Sequence, residues 1–336
     1  MKTRVAINGF GRIGRSVFKI LFERSDIEIV AINDLADEKT LAHLLRYDSN
    51  YGQYGKKVET AEAKIIVDGV EIKHLLEPDP EKLPWKDLKV DIVVECTGIF
   101  VEPAKAKGHI KAGAKNVVIS APAKGDSADK AHTVVLGVND KSLKKSQDIY
   151  SNASCTTNCI SPVAHVLEKE FGIEKAMMTT IHSYTADQNL QDGPHKDLRR
   201  ARNAATNIVP TSTGATSAAA KVIPSLAGNF EGMAIRVPTP VGSLSDFSIL
   251  LKKEVSVEEI NNAFKEAAKQ PYYQGILEVT EDPIVSSDIV GNSHSAIVDL
   301  SLTMASGKLV KVVAWYDNEW GYANRLAELV ADIGKL

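Results

Sequence analysis

Val5-Ala6-Ile7-Asn8-Gly9-Phe10-Gly11-Arg12-Ile13-Gly14 is the stretch whose reading decides the fold. Val5 to Ile7 is a short apolar run that reads as a buried strand. Three glycines follow at once, and Val17, Phe18, Ile20 and Leu21 then recur at helical spacing. Glu28 to Asn33 is a second strand, ending at Asp34, twenty positions after Gly14. Strand, glycine loop, helix, strand and acid is the order that binds a dinucleotide. The glycines allow a tight turn, close approach of backbone to pyrophosphate, and close helix–strand contact. The pyrophosphate rests on the helix N-terminus, where unpaired N–H groups point outward. Asp34 accepts from the ribose hydroxyls and repels a 2′-phosphate, and neither Leu35 nor Ala36 supplies the cation such a phosphate needs. The expected cofactor is therefore NAD, with Gly9, Gly11 and Asp34 among its contacts.

The same alternation continues outward. Asp37 to Arg46 reads as a helix, and Ile65 to Ile72 as a hairpin turning at Asp68-Gly69. Asp91 to Glu95 is a buried strand that ends at Cys96-Thr97-Gly98. Polar residues at the carboxyl end of a parallel strand face the cofactor in open α/β sheets, which makes Thr97 a candidate contact; Cys96 reads as core. Pro103 opens a helix to about Gly113. Asn116 to Ser120 and Thr133 to Leu136 read as further strands. The fold class is α/β: a doubly wound, Rossmann-type parallel sheet over residues 1–153, followed by an α+β catalytic domain over 154–318 with a mixed or antiparallel sheet. A terminal helix within 319–336 has an apolar side (Leu326, Leu329, Val330, Ile333) expected to cover the first domain.

The chain has 336 residues, 44% hydrophobic and 25% charged, with a net charge of −3. That balance demands neither nucleic acid nor an anionic membrane as partner. Three cysteines argue against a disulfide framework and for a reducing compartment. The apolar run near residue 5 is too short for a secretion signal and no stretch approaches a membrane span, so the expected location is cytoplasmic.

The chemistry gathers at Ser151-Asn152-Ala153-Ser154-Cys155-Thr156-Thr157-Asn158-Cys159. Ser154 is placed to cap a helix running to Phe171, which sets Cys155 in its first turn. There the helix end favours a thiolate. Lowering a thiol pKa from about 8.5 to about 6 takes roughly 3.4 kcal/mol, more than the ~0.3–2 kcal/mol of a helix end. A second cation is needed, and His182, at the end of a Lys175–His182 strand, is the candidate. Cys159, one turn on, reads as a packed thiol. Two cysteines and one histidine fall short of a metal set, so no metal is expected. A long loop from Ser183 to Asn207 carries Thr185, Asp187, Arg199, Arg200 and Arg202. Thr213 and Gly214 precede an Ala-rich helix, where an anion or plain capping both suit them. Arg236 lies in an apolar strand and needs an anionic partner, either phosphate or carboxylate.

Taken together, Asn8 to Arg15, Ser151 to Asn158, His182 to Thr185, Asp197 to Arg202, Arg236 to Pro240 and Trp315 to Glu319 make the whole chain resemble the phosphorylating glyceraldehyde-3-phosphate dehydrogenases. The resemblance implies Cys155 as nucleophile and His182 as base. It implies NAD contacts at Arg12, Ile13, Asp34, Ser120 and Asn318. It implies phosphate ligands at Ser154, Thr156, Thr185, Arg200, Thr213, Gly214 and Arg236, for glyceraldehyde 3-phosphate and inorganic phosphate. It also implies a homotetramer, with the 183–207 loop near a neighbouring subunit's cofactor. Pro78 departs from the arginine that many relatives carry near the adenine. Erythrose-4-phosphate dehydrogenases share the cysteine and glycine motifs but depart at the positions of Thr185 and Thr213-Gly214. A cysteine hydrolase leaves the glycine loop unexplained, and an NAD- or RNA-binding interaction protein has only the Arg199–Arg202 cluster to support it.

Overall fold

The strand Thr3–Asn8 lies inside a sheet whose order is His132–Thr133, Ile149–Ser151, Asn116–Ile119, Ile92–Glu95, Thr3–Asn8, Ile27–Asn33, Val70–Leu75, Lys64–Val67, Val58–Ala61. The computed structural model describes residues 2–336. All neighbours in this sheet run parallel except at one edge, where Val58–Ala61, Lys64–Val67 and Val70–Leu75 form antiparallel pairs. Asp68 and Gly69 both take positive φ, the backbone a two-residue hairpin turn requires. The near-continuous apolar strands are buried on both faces, as parallel strands must be. Val93, Val117, Ile119, Trp85 and Ala106 form a core on one side.

The chain divides into two units. One comprises the residues up to Val134, Lys141–Ala153 and Ala323–Leu336; the other comprises Val135–Asp140 and Ser154–Tyr322. The helix Trp320–Gly334 thus contributes all but its first turn to the first unit, with Leu326, Leu329 and Val330 fully buried. A Cβ on Gly334 would come 2.4 Å from Thr3 Oγ1, so helix and sheet meet there at a distance only glycine permits. The strand expected over Thr133 to Leu136 is only His132–Thr133. Beyond it Val135 N–H donates to Asn139 Oδ1 and Val138 N–H to Val135 O, so a turn replaces the ladder.

The second unit is built on a mixed sheet ordered Val209–Ser212, Phe230–Val237, Ile173–Ser183, Ser243–Leu251, Leu309–Tyr316, Ala296–Asp299, Leu277–Thr280, with Met304–Ser306 beside Leu309–Tyr316. Ile173–Ser183 runs parallel to Phe230–Val237 and antiparallel to Ser243–Leu251. The helix Cys155–Phe171 covers one face through Cys159, Ile160, Val163 and Leu167, and it runs unbroken through Pro162. The opposite face leaves Met177, Met233, Met304 and Leu309 exposed. Four strands of this sheet have no counterpart in the sequence reading: Val209–Ser212, Ser243–Leu251, Leu277–Thr280 and Met304–Ser306. Val209–Ser212 is an edge strand, the one place where Pro210 is tolerated. Ser243–Leu251 is central, and its burial alternates with period 2, but the buried Ser243 and Ser245 break the apolar alternation in the sequence.

Candidate active site

In the first unit, Asn8, Gly9, Gly11, Asn33, Asp34, Pro78 and Thr97 are among the walls of a cleft of about 400 Å³. Gly9 has φ +90°, and a Cβ there would lie 2.6 Å from Thr97 N, so the strand-to-helix turn can pass the next strand only as glycine. Gly14 approaches the Gly9 carbonyl so closely that its own Cβ would overlap it. The Asp34 carboxylate accepts the N–H of Phe10 at 2.7 Å and of Ala36 at 3.0 Å, which fixes it beside the glycine turn. Arg12 and Ile13 begin the helix Arg12–Phe22. The Arg12 guanidinium pairs with Asp48 at 2.8 Å.

Beneath the cleft runs a buried polar row. Asn33 exchanges two hydrogen bonds with the backbone of Glu77 and donates to Asn8 Oδ1 at 2.7 Å. Asn8 donates to Glu95 at 2.6 Å. Glu95 also accepts from both N–H and hydroxyl of Thr97 and from His109 Nε2, whose Nδ1 accepts from Trp85. Four donors satisfy one buried carboxylate, as burial demands. Thr97 lines the cleft, but its hydroxyl and its N–H are both engaged by Glu95. Ser120 ends the neighbouring strand and its hydroxyl contacts Cys96. Cys96 is not the core residue expected; it lies half-buried in the cleft wall, where burial pushes its thiol up to about 12.

In the second unit, Ser154 caps the helix by accepting the Thr157 N–H at 3.0 Å, and Cys155 is the first helical residue. Ala153 just before it holds φ +53°, a left-handed turn unusual for a residue with a side chain. Sγ of Cys155 is 3.4 Å from Nε2 of His182. His182 Nδ1 is 2.7 Å from the Ser183 carbonyl, which can only accept, so Nδ1 carries the ring proton and Nε2 presents its lone pair to sulfur. Burial pushes the Cys155 thiol up, while the Arg236 guanidinium, the Thr156 hydroxyl and the N–H groups at the helix start pull it back. Burial and then Arg236 press His182 down to about 3. Moving the proton between groups of ordinary pKa costs about 2.7 kcal/mol, and the resulting charges at 3.4 Å attract by about 5 kcal/mol at an effective dielectric of about 20. Burial opposes both charges. The 3.4 Å contact places Nε2 where it can take the thiol proton as the sulfur reacts.

Around it lie the anion ligands. Arg236 donates to the Ser183 carbonyl at 3.1 Å and to Thr185 Oγ1 at 2.7 Å. Arg200 donates to Thr211 Oγ1, to the Ser212 carbonyl and to Asp187. Thr156 Oγ1 lies 3.0 Å from the Tyr316 hydroxyl, within the layer between helix and sheet, and its N–H donates to the Cys155 sulfur. Gly214 is exposed and caps the helix Ala215–Val222 without a side-chain bond, and Thr213 Oγ1 accepts the Ala215 N–H. Asn318 Oδ1 accepts from Ser183 Oγ at 2.8 Å, Gly242 N at 3.0 Å and Ser243 Oγ at 3.1 Å. Three donors on one oxygen orient the amide and leave Nδ2 as the outward donor.

The structure therefore groups Gly9, Gly11, Arg12, Ile13, Asp34, Thr97 and Ser120 in one unit and Ser154, Cys155, Thr156, His182, Thr185, Arg200, Thr213, Gly214, Arg236 and Asn318 in the other. Sequence reasoning missed the supporting residues: Tyr316, whose hydroxyl bridges Thr156 and Thr180, and Ser243, Asn8 and Glu95. Asn8, Asn33 and Glu95 had one signal, a polar residue ending each of three apolar strands.

Comparison with known proteins agrees with this geometry. The family model "Glyceraldehyde 3-phosphate dehydrogenase, NAD binding domain" matches residues 3–103, and "Glyceraldehyde 3-phosphate dehydrogenase, C-terminal domain" matches 154–318. The chain is 58% identical to the glyceraldehyde-3-phosphate dehydrogenase of Thermotoga maritima over 97% of both chains. It is 56% identical to that of Mycolicibacterium smegmatis over 100% of this chain and 99% of the relative, and 53% identical to that of Borreliella burgdorferi over 99% and 100%.

Proposed function

The chain belongs to the glyceraldehyde 3-phosphate dehydrogenase family, and from that premise we propose that Cys155 and His182 carry out its reaction. It is an NAD-dependent enzyme that oxidises glyceraldehyde 3-phosphate and joins the product to inorganic phosphate, a step of glycolysis. NAD, held by the residues of the glycine-turn cleft, would supply the hydride acceptor. Every other step is assigned to the chain's own residues.

The Cys155 thiol gives its proton to His182 Nε2 as Sγ bonds to the aldehyde carbon. The new oxyanion is met by the Cys155 backbone N–H and the imidazolium, and it takes the proton to complete a thiohemiacetal. His182 then removes that hydroxyl proton as the hydride departs, which leaves a thioester on Sγ. Inorganic phosphate attacks the thioester carbon, the C–S bond breaks, and the imidazolium returns its proton to sulfur. The acyl phosphate leaves. His182 handles one proton throughout and ends neutral, which suits a ring held at a depressed pKa.

Two anions must bind near one sulfur. Thr185, Arg200, Arg236, Thr213, Gly214, Ser154 and Thr156 are assigned to them. The cleft at Gly9, Gly11, Arg12, Ile13, Asp34, Thr97 and Ser120 is assigned to NAD. The absence of a Cβ at Gly9 and the fixed Asp34 carboxylate suit a pyrophosphate and a ribose. Asn318 Nδ2 is assigned to the nicotinamide carboxamide. Pro78 lines the cleft without a charge, so its contribution to adenine is apolar. We assign residues 1–153 with the terminal helix as the NAD-binding domain and 154–318 as the catalytic domain. The exposed Met177, Met233, Met304 and Leu309 on one face of the second sheet support assembly into a homotetramer. No helix among the described residues is long and apolar enough to cross a membrane, and three free cysteines suit a reducing cytoplasm.

The observation that carries the mechanism is the 3.4 Å contact between Sγ and Nε2 at a helix N-terminus. Absorbance at 340 nm tests the function, comparing glyceraldehyde 3-phosphate with erythrose 4-phosphate, NAD with NADP, and phosphate present with phosphate absent. Sustained turnover should require the first of each pair. Preference for erythrose 4-phosphate, or turnover indifferent to phosphate, would overturn the reading.

A further inference from the structure

Asp187 sits inside the anion cluster, yet no step of the reaction uses it. Its Oδ1 accepts the Thr185 hydroxyl and its Oδ2 accepts Nη1 of Arg200. Thr185 Oγ1 in turn accepts Nη1 of Arg236 at 2.7 Å. Arg236, Thr185, Asp187 and Arg200 therefore form one hydrogen-bonded row with a protein carboxylate in its middle. A hydroxyl has a single proton, so Thr185 cannot donate to a phosphate oxygen while it donates to Asp187. One of the guanidinium donors of Arg200 is committed to the same carboxylate, and others go to Thr211 Oγ1 and the Ser212 carbonyl. Burial works against ionisation of Asp187, but Thr185, Arg236 and Arg200 outweigh it and hold the carboxyl below its ordinary range. The side chain is 48% exposed, so rotation into solvent meets no packed wall on that side.

We propose that Asp187 is a displaceable internal counter-anion, which occupies the place of a phosphate among Thr185, Arg200 and Arg236 and competes with phosphate for them. The proposal rests on reading those three residues as phosphate ligands. Its consequence is kinetic. Two arginines without a counter-charge would hold a phosphorylated product tightly, and a carboxylate that swings back into the row weakens that hold on every turnover. A structural strut would have the opposite effect on affinity, because removing it would let Arg200 drift and weaken phosphate binding.

The test is steady-state kinetics of Asp187→Asn, which keeps the shape and an acceptor oxygen for Arg200 but removes the charge. KM for inorganic phosphate or for glyceraldehyde 3-phosphate should fall at least fivefold, with kcat unchanged or lower. A rise in either, or no fall in both, would overturn the proposal. Asp187→Ala, without the added amide donors, serves in the same way if the Asn variant does not fold. Arg236→Leu, assayed in parallel, should raise both KM values. If it raises neither, the reading of the phosphate ligands fails. If it raises them while neither Asp187 variant lowers one, only the counter-anion proposal fails.

Discussion

His182 and Arg236 are register partners on neighbouring parallel strands, Ile173–Ser183 and Phe230–Val237. One rung thus delivers an imidazole and a guanidinium to the face covered by the Cys155 helix. The pairing explains why Arg236 both draws the Cys155 thiol toward its anion and resists a proton on His182.

That arrangement makes a pH prediction. Burial and then Arg236 press His182 down to about 3 in the folded chain, against an ordinary value of about 6.5 when unfolded. Below about 6.5 the unfolded chain binds the extra proton, so this residue's contribution to stability is present above that pH and is lost as pH falls toward 3. The slope approaches about 1.4 kcal/mol per pH unit within the window. In His182→Asn, Tm should therefore fall less than in the parent between pH 6.5 and 4. Equal falls in thermal melts would show that His182 is not held neutral.

Asn318→Asp should separate the two edges of one amide. The carboxylate still accepts from Ser183, Gly242 and Ser243, so Tm should change little, but the Nδ2 donor is gone. With a hydrogen bond worth roughly 1–3 kcal/mol, kcat/KM for NAD should drop by about tenfold to a hundredfold. An unchanged kcat/KM would remove Asn318 from the cofactor site.

Gly9→Ala should damage cofactor binding and stability together. The new Cβ meets Thr97 N at 2.6 Å on a backbone with φ +90°. Strain of about 1–3 kcal/mol follows, and it is seated in the turn assigned to pyrophosphate. Lower Tm and weaker binding of both NAD and ADP-ribose, by calorimetry, are expected. Intact affinity for ADP-ribose would place the pyrophosphate elsewhere.

The first sheet was legible because its determinants are local. Val5 to Gly14 states strand, turn and helix within ten residues, and Asp34 closes the unit. Cys155 and its cap were legible for the same reason. The second sheet was harder. Ser243–Leu251 alternates as a strand should, but Ser243, Ser245 and Ser248 gave it the composition of a loop, and only pairing with Ile173–Ser183 and Leu309–Tyr316 reveals it as central. Burial raises the Cys155 thiol and lowers His182, an effect no local motif reports. Thr97 and Thr156 stand where the sequence put them, yet their hydroxyls turn inward to Glu95 and Tyr316, partners distant in sequence or buried in the floor.

Mass spectrometry of the enzyme during turnover without phosphate tests the central claim. Given glyceraldehyde 3-phosphate and NAD alone, the chain should gain one phosphoglyceryl acyl group, located on the Cys155 peptide and discharged when inorganic phosphate is added. Cys155→Ser should gain none while still binding NAD. An acyl group on another residue, or full turnover by Cys155→Ser, would contradict the account.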